Sequence, residues 1–145
     1  EITEKTLMSN PDFSHDLLNS LQEEGVQFSL EDFGAGNISM SHLSTLPLSV
    51  LKIDHQFIGG INENKVNRKV VEAMTALGHS LGLSVVAEGV ETEDEYNVVA
   101  EIGCDLMQGF YFGKPAVAID IWNGFVGKSQ SVSASDLSSS QRLSP

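Results

Sequence analysis

Apolar residues recur along the chain with two different spacings, and each spacing predicts one kind of element. A spacing of three or four residues is typical of a helix with one buried face. It occurs in residues 9–24, 63–81 and 92–102, and each of these segments is followed by a glycine that favours helix termination. A shorter helical stretch is expected over residues 39–46, because Pro47 follows it.

Short apolar runs between these segments predict strands. The runs are residues 26–30, 48–53, 83–87 and 106–107, and residues 1–4 are interpreted as the end of another strand. Strands therefore alternate with helices, which favours a parallel sheet with right-handed crossovers. The expected fold class is α/β.

The composition of the chain changes near residue 126. From Ser129 onward, eight of 17 residues are serine and apolar content falls sharply. We expect residues 1–126 to form the folded unit and residues 127–145 to be a Ser-rich disordered tail. The chain opens on Glu1 with no initiator Met and no cap before the first strand, so we interpret it as a segment of a longer protein.

Charge and cysteine content narrow the classes of function. Lys and Arg total 8 against 20 Asp and Glu, and the net charge of −12 argues against a nucleic-acid polymer as partner. Cys104 is the only cysteine, which excludes an internal disulfide and a Cys-based zinc cluster. No apolar run is long enough to span a bilayer and no signal peptide opens the chain. We expect a cytoplasmic segment, with any membrane anchor of the parent lying upstream.

Polar side chains at the ends of the predicted strands carry the candidate chemistry. In order along the chain they are Glu1, Glu4, Glu31, Asp32, Lys52, Asp54, Glu88, Glu91 and Gln108. Because the carboxyl ends of parallel strands meet at one edge of a sheet, we expect these side chains to share a rim. Several carboxylates with one lysine and one amide suit a phosphoester hydrolase that uses two Mg²⁺ or Mn²⁺ ions.

Simpler interpretations exist for several of these residues when each is taken alone. Glu4, Asp54 and Glu91 each suit a loop cap or a solvated surface acid. Lys52, inside an apolar strand, suits a structural ion pair with a carboxylate. The joint pattern at successive strand ends favours a functional site over these separate explanations.

Five short motifs resemble those of the EAL domain family of cyclic di-GMP phosphodiesterases. They are Glu1-Ile2-Thr3-Glu4, Glu31-Asp32-Phe33-Gly34-Ala35-Gly36, Lys52-Ile53-Asp54, Ala87-Glu88-Gly89-Val90-Glu91 and Gln108-Gly109-Phe110. They stand in the family's order with family-like spacing, and the resemblance covers residues 1 to about 125. Each motif alone is weak evidence, but five in register are specific.

The resemblance implies a partial TIM-type (β/α) barrel, the C-terminal half of an EAL domain. A closed barrel takes about 200 residues or more, so we expect four or five parallel strands with helices on one face. The implied reaction is the hydrolysis of cyclic di-GMP to linear pGpG with two Mg²⁺ or Mn²⁺ ions. The implied partners are cyclic di-GMP, the upstream half of the barrel, sensor or cyclase domains, and a second copy of the parent in a homodimer.

The resemblance also implies a role for each residue by its motif position. The implied metal ligands are Glu1, Glu31, Asp32 and Glu88. The implied catalytic residues are Lys52, Glu88 and Gln108; Lys52 would hold or deprotonate the attacking water, and Gln108 would support the waters at the metals. The implied loop supports are Glu4 and Glu91, which would brace the loop 32–39. The implied substrate-binding residues are Asp54, Gly34 and Gly36.

Two departures from the family pattern leave an alternative open. The Glu-Ala-Leu signature and the Asn ligand of the family's first half are absent from this chain, so the isolated chain is expected to be inactive. Glu31 stands where the family usually has Asp, and a displacement of about 1 Å can cost about a hundredfold in rate. The alternative is therefore a degenerate EAL domain that binds cyclic di-GMP as a non-catalytic receptor.

Overall fold

The computed structural model of the chain describes residues 1–36 and 38–118. The predicted domain boundary at residue 126 and the predicted Ser-rich tail lie outside the described residues. The chain divides into two compact units, Glu1–Gly113 and Lys114–Pro145, and the sheet and helices given below belong to the first. Within the described residues, no helix is long and apolar enough to cross a membrane.

Five parallel strands form one sheet. They are β1 (Ile2–Thr3), β2 (Ser29–Phe33), β3 (Val50–Ile53), β4 (Ser84–Glu88) and β5 (Leu106–Gln108). Each strand pairs with the next one along the chain, in the order β1-β2-β3-β4-β5. The predicted α/β class and parallel sheet are confirmed, and this simple strand order is that of a barrel wall. All five carboxyl ends consequently lie along one edge.

Helices follow the strands. They are α1 (Glu4–Ser9), α2 (Pro11–Glu23), α3 (Met40–Leu43), α4 (His55–Ile58), α5 (Lys65–Ser80) and α6 (Glu93–Ile102). Helix α6 begins at a capping box of Thr92 and Glu95 and ends at Gly103, whose φ of 89° is the left-handed conformation that favours glycine. The apolar pattern does not predict α1 and α4, because helices this short show too few turns for a periodicity.

The core lies between the sheet and the helices that cover it. Leu51, Ile53 and Val85 are fully buried on the central strands. Helix α5 packs against β3 and β4 at Gly78, where an added Cβ would overlap Val85 Cγ2 and lie 3.3 Å from Leu51 Cδ2. Gly78 therefore sets how closely the helix approaches the strands that carry the polar residues of the site.

We expect Gly78→Ala to lower the free energy of unfolding by about 1–2 kcal/mol. Overpacking costs about 1–3 kcal/mol, and an overlap with the fully buried Val85 belongs to the upper part of that range, about 2–3 kcal/mol. The better helix propensity of alanine offsets about 1 kcal/mol of this cost. Chemical denaturation in urea measures the change. Gly59→Ala is the matched control, because Gly59 has a φ of −54° and the nearest atom to its added Cβ is 3.7 Å away. A Gly78 variant as stable as the control would contradict this account of the packing.

The side chain of Asp105, which precedes β5, contacts β4 and α5 near the amino end of β4. Asp105 Oδ2 accepts a hydrogen bond from the backbone N–H of Val85 at 2.7 Å and lies 2.9 Å from His79 Nε2. The Val85 N–H and, to a lesser extent, His79 hold the pKa of the Asp105 carboxyl below its usual range. Asp105 and its partners lie at the opposite end of β4 from Glu88, so they affect the stability of the fold and not the candidate site.

The lowered pKa of Asp105 predicts the direction of a pH effect on stability. Because the carboxyl binds its proton more weakly in the folded chain, Asp105 stabilises the fold above the unfolded-state pKa of about 3.9. This contribution is lost as pH falls through the folded-state pKa. The free energy of unfolding measured in urea should therefore decline less between pH 5 and about pH 3 in Asp105→Asn than in the unmodified chain. Parallel pH curves for the two chains would refute this effect.

Candidate active site

Lys52, on β3, is the centre of a cluster of three carboxylates at the carboxyl edge of the sheet. Its Nζ lies 2.9 Å from Glu1 Oε1, 2.9 Å from Glu31 Oε1 and 2.8 Å from Glu88 Oε1. Glu1 precedes β1, Glu31 lies in β2 and Glu88 is the last residue of β4. Side chains separated by as many as 87 positions in the sequence are thus joined at one point, because parallel strands end together.

Burial and charge act in opposite directions on Lys52. The side chain is only 8% exposed. Burial alone lowers the pKa of Lys52, but hydrogen bonds to Glu88, Glu1 and Glu31 outweigh it and raise the pKa above its ordinary value. The hydrogen bond from Lys52 also lowers the pKa of Glu1. Three carboxylates face one ammonium group, which leaves an excess of negative charge at this edge.

A β-bulge in β2 separates the two neighbouring acids Glu31 and Asp32. The pairing of β2 with β3 shifts between Leu30 and Phe33, so β2 has one extra residue there. Asp32 has a φ of 54°, the left-handed region that Asp tolerates better than most residues. Glu31 contacts Lys52, whereas Asp32 is exposed and its carboxylate makes no hydrogen bond or ion pair within the part of the chain that is described.

Glu4 holds the loop that follows β2. Its carboxylate is 4% exposed and accepts hydrogen bonds from the backbone N–H groups of Gly34 and Ile38, each at 3.1 Å. Gly36 lies so close to this carboxylate that an added Cβ would overlap Glu4 Oε2. The close approach explains why this loop needs glycine, and Glu4 fixes the loop at both ends.

Asp54 has local contacts that are typical of a cap. It is 7% exposed, its Oδ1 accepts a hydrogen bond from the backbone N–H of Gln56 at 2.8 Å, and the same oxygen lies 3.0 Å from His55 Nδ1. These contacts start helix α4. The structure thus places Asp54 in the capping role that the sequence left open beside substrate binding.

Gln108 and Glu91 have exposed side chains near the cluster. Gln108 is the pairing partner of Glu88 in the sheet. The side chains of Gln108 and Glu91 form no hydrogen bond to another residue within 1–36 and 38–118. Both line a cavity of about 420 Å³, together with His55 and Phe110. The structure therefore brings Glu1, Glu31, Lys52 and Glu88 into contact, and leaves Asp32, Glu91 and Gln108 outside that contact.

Glu95 is a residue of this edge that the sequence indicated only as part of a capping box. It is 6% exposed, and Oε1 accepts a hydrogen bond from the backbone N–H of Gly60 at 2.8 Å. Oε2 accepts from the N–H groups of Glu91 at 2.9 Å and Thr92 at 3.0 Å. The bond to Gly60 spans 35 positions, and no local sequence signal indicates it.

The family model of the EAL domain matches residues 1–115. This chain belongs to the EAL domain family. MucR of Pseudomonas aeruginosa, a bifunctional diguanylate cyclase and cyclic di-GMP phosphodiesterase, is 42% identical over 118 residues, which are 81% of this chain and 17% of MucR. The EAL chain therefore spans less than a fifth of that relative.

Solved structures agree with this assignment. The structure of the MucR phosphodiesterase in complex with c-di-GMP matches with a TM-score of 0.78 and 41% identity, over 83% of this chain and 49% of that one. A complex of Klebsiella pneumoniae BlrP1 with manganese and c-di-GMP matches with a TM-score of 0.73 and 31% identity, over 79% of this chain and 29% of that one. The parallel sheet of this EAL chain thus corresponds to part of the EAL barrel.

The donor atoms of the cluster fit a hard divalent cation in their chemistry. Glu1, Glu31 and Glu88 offer carboxylate oxygens, the ligands that Mg²⁺ and Mn²⁺ prefer, and the excess negative charge favours a cation. Within the described residues, no three acidic, His or Cys side chains stand in the arrangement of a metal site. The three carboxylates are spread around the ammonium group of Lys52 instead.

Proposed function

We propose that this chain provides the carboxylate and lysine part of the active site of a cyclic di-GMP phosphodiesterase, which hydrolyses one phosphodiester bond to give linear pGpG. The observation that carries the proposal is the convergence of Glu1, Glu31 and Glu88 on Lys52 at the carboxyl edge of the sheet. Catalytic groups are found at this edge in TIM-type barrels. The phosphodiesterase activity named for MucR supports the same substrate.

Two Mg²⁺ or Mn²⁺ ions would be held by Glu1, Glu31, Asp32 and Glu88. When bound, such ions offset the negative charge of the phosphate and make a water more acidic. The exposed carboxylate of Asp32 is free to turn toward an ion without breaking a contact within the described residues. Glu4 would keep Gly34 and Ile38 in place beside these ligands through its two hydrogen bonds.

Lys52 would act as a hydrogen-bond donor in this reaction. An ammonium group has three N–H donors and no acceptor, and here three carboxylate oxygens surround it. If one of these carboxylates turned from Lys52 to a bound ion, the N–H group that it leaves would orient the attacking water and stabilise negative charge that develops on the phosphate. The geometry favours this role over proton abstraction, because the nitrogen has no lone pair while its donors are engaged.

The proposal extends to partners that the chain does not itself contain. The named activities of MucR combine a cyclase with a phosphodiesterase, and this chain covers 17% of that protein. We propose that the parent supplies the remaining wall of the barrel, carries sensor or cyclase domains and acts as a homodimer. Chromatography coupled to light scattering of the parent tests the dimer directly.

Product analysis tests the proposed reaction. The 145-residue chain, incubated with cyclic di-GMP and Mn²⁺, is expected to form no pGpG. A fusion of the preceding part of the MucR EAL domain to Glu1 is expected to form pGpG with Mg²⁺ or Mn²⁺, and Ca²⁺ should inhibit it. If the isolated chain formed pGpG, the reaction would not require the preceding part of the EAL domain, and the expected inactivity of the isolated chain would be wrong. If a folded fusion that binds Mn²⁺ and cyclic di-GMP never formed it, the proposal would fail.

The receptor alternative is favoured by one residue, Glu31. Its longer side chain already reaches Lys52 at 2.9 Å, and it stands where the family usually has Asp. If the extra methylene only handicaps catalysis, Glu31→Asp should raise turnover in the fusion. If the Glu31→Asp fusion binds cyclic di-GMP and still releases no pGpG, the receptor function is the better proposal.

A further inference from the structure

Glu95 connects two loops at the carboxyl edge through one buried carboxylate. Its bond to Gly60 N–H reaches the turn between α4 and α5, and its bonds to Glu91 and Thr92 N–H reach the segment between β4 and α6. Burial alone raises the pKa of Glu95, but these backbone donors outweigh it and hold the pKa below its ordinary value. All three bonds are therefore made to an ionised group, which strengthens each of them.

The segment after β4 is also fixed from the side of β5. Val90 N–H donates to the carbonyl of Gln108 at 3.0 Å, and Tyr111 N–H donates to the carbonyl of Val90 at 3.0 Å. An added Cβ on Gly109 would overlap the backbone of Val90. Residues 89–91, which directly follow Glu88, are thus held between Glu95 on one side and the end of β5 on the other.

The helix that carries Glu95 also contacts the segment after β5. Tyr96, the next residue in α6, stacks on Tyr111 with ring centroids 5.4 Å apart and an interplanar angle of 28°. On the opposite side, an added Cβ on Gly89 would meet His55 Cβ, at the start of α4. The first turn of α6 therefore links the segments that follow β3, β4 and β5.

We propose that Glu95 is a positioning residue, which fixes Glu88 and Gln108 relative to Lys52 by joining the segments after β3, β4 and β5. A helix cap needs only the contacts with residues 91 and 92, so the bond to Gly60 has no role in capping α6. The catalytic importance of this position rests on the proposed function. The positioning itself does not, and it can be measured without substrate or metal.

Amide hydrogen exchange of the 145-residue chain, followed by NMR, tests the connection. In Glu95→Gln one carboxylate oxygen becomes an NH₂ group, which cannot accept from a backbone N–H. We expect exchange at Gly60 or at Glu91 to rise about tenfold or more, since a bond to a charged group contributes about 1.5–3 kcal/mol. We expect exchange at Val90 and Tyr111, which Glu95 does not touch, to rise as well.

Thr92→Ala is the matched control for a capping role alone. It removes the bond from Glu95 N–H to Thr92 Oγ1 at 3.2 Å but leaves the Glu95 carboxylate and its backbone donors in place. It should increase exchange only in the first turn of α6. If both variants have the same effect at Gly60 and Tyr111, or if Glu95→Gln changes only the first turn, the proposal is overturned.

The side-chain NMR signals of the site report the positioning directly. We expect the Gln108 side-chain amide and the Glu88 carboxyl carbon to shift in Glu95→Gln and to stay unchanged in Thr92→Ala. Unchanged signals in both variants would overturn the proposal whether or not cyclic di-GMP is hydrolysed.

The kinetics of the active fusion give a further test. Glu95→Gln should lower kcat more than it changes KM, and an undiminished kcat in this variant would also overturn the positioning role of Glu95. If the unmodified fusion made no pGpG, only the proposed function would fail.

Discussion

Lys52→Met is expected to lower the free energy of unfolding by up to about 3–5 kcal/mol, the cost of leaving a buried charge unpaired, because Lys52 is buried and its partners Glu31 and Glu88 are only 29% and 18% exposed. The substitution keeps most of the side-chain volume but leaves Glu31 and Glu88 facing each other without a cation. Glu1 contributes least, because its side chain is 61% exposed and solvent screens its charge. Urea denaturation of the 145-residue chain at neutral pH measures the loss.

A second substitution separates charge from packing in this prediction. Glu88→Gln in the Lys52→Met background removes one of the repelling carboxylates, so the double variant should recover part of the lost stability. The coupling from the double-mutant cycle isolates the interaction between the two residues. If Glu88→Gln destabilises the Lys52→Met chain as much as it destabilises the unmodified chain, the two side chains are not coupled. The ion pair between Lys52 and Glu88 then does not stabilise the fold.

Glu88→Gln is expected to lower pGpG production by the MucR fusion at least about a hundredfold, since the loss of even an outer partner of a metal ligand costs about 10–100-fold and Glu88 is itself a proposed ligand. The substitution keeps the shape of the side chain and removes its negative charge. It thereby removes a proposed ligand of the metals and one of the three carboxylates that hold Lys52. Turnover is followed by separating pGpG from cyclic di-GMP.

Glu72→Gln is the matched control for this prediction. Glu72 lies on α5, 48% exposed and paired with Arg68 at 3.2 Å, so the same change in charge occurs away from the strand edge. The control should keep its activity. Equal losses in the two variants would show that net charge and not the position of Glu88 determines the rate, and an active Glu88→Gln variant would remove Glu88 from the proposed site.

The local sequence predicted the elements that have strong periodicity. Helix α5 was expected over residues 63–81 and is observed at Lys65–Ser80, and the capping box of Thr92 and Glu95 is present as predicted. The second strand was expected over residues 26–30, whereas β2 is Ser29–Phe33. It runs on through Glu31 and Asp32 because Glu31 pairs with Thr3 of β1 and Phe33 pairs with Ile53 of β3, and pairing on both sides of β2 overrides the low strand propensity of the two acids.

The order of residues also determined which polar groups are near the site. Parallel strands end at one edge, so acids and a lysine at successive strand ends had to be neighbours, whatever their exact side-chain directions. Sequence alone left Lys52 open between an ion pair and a catalytic group, because both roles need the same residue at the end of the same strand. The observed contacts with three carboxylates are compatible with both roles.

Only the tertiary structure decided which groups touch. The β-bulge in β2 directs Glu31 to Lys52 and leaves Asp32 exposed, and a bulge depends on how two strands pair rather than on the residues of one of them. In the same way, the bond from Glu95 to Gly60 joins residues 35 positions apart. The amino-acid sequence by itself determined the parallel sheet, its longer helices and the acidic edge, because these follow from local periodicity and strand direction. The contacts within that edge follow from packing between distant segments, for which the sequence has no local pattern.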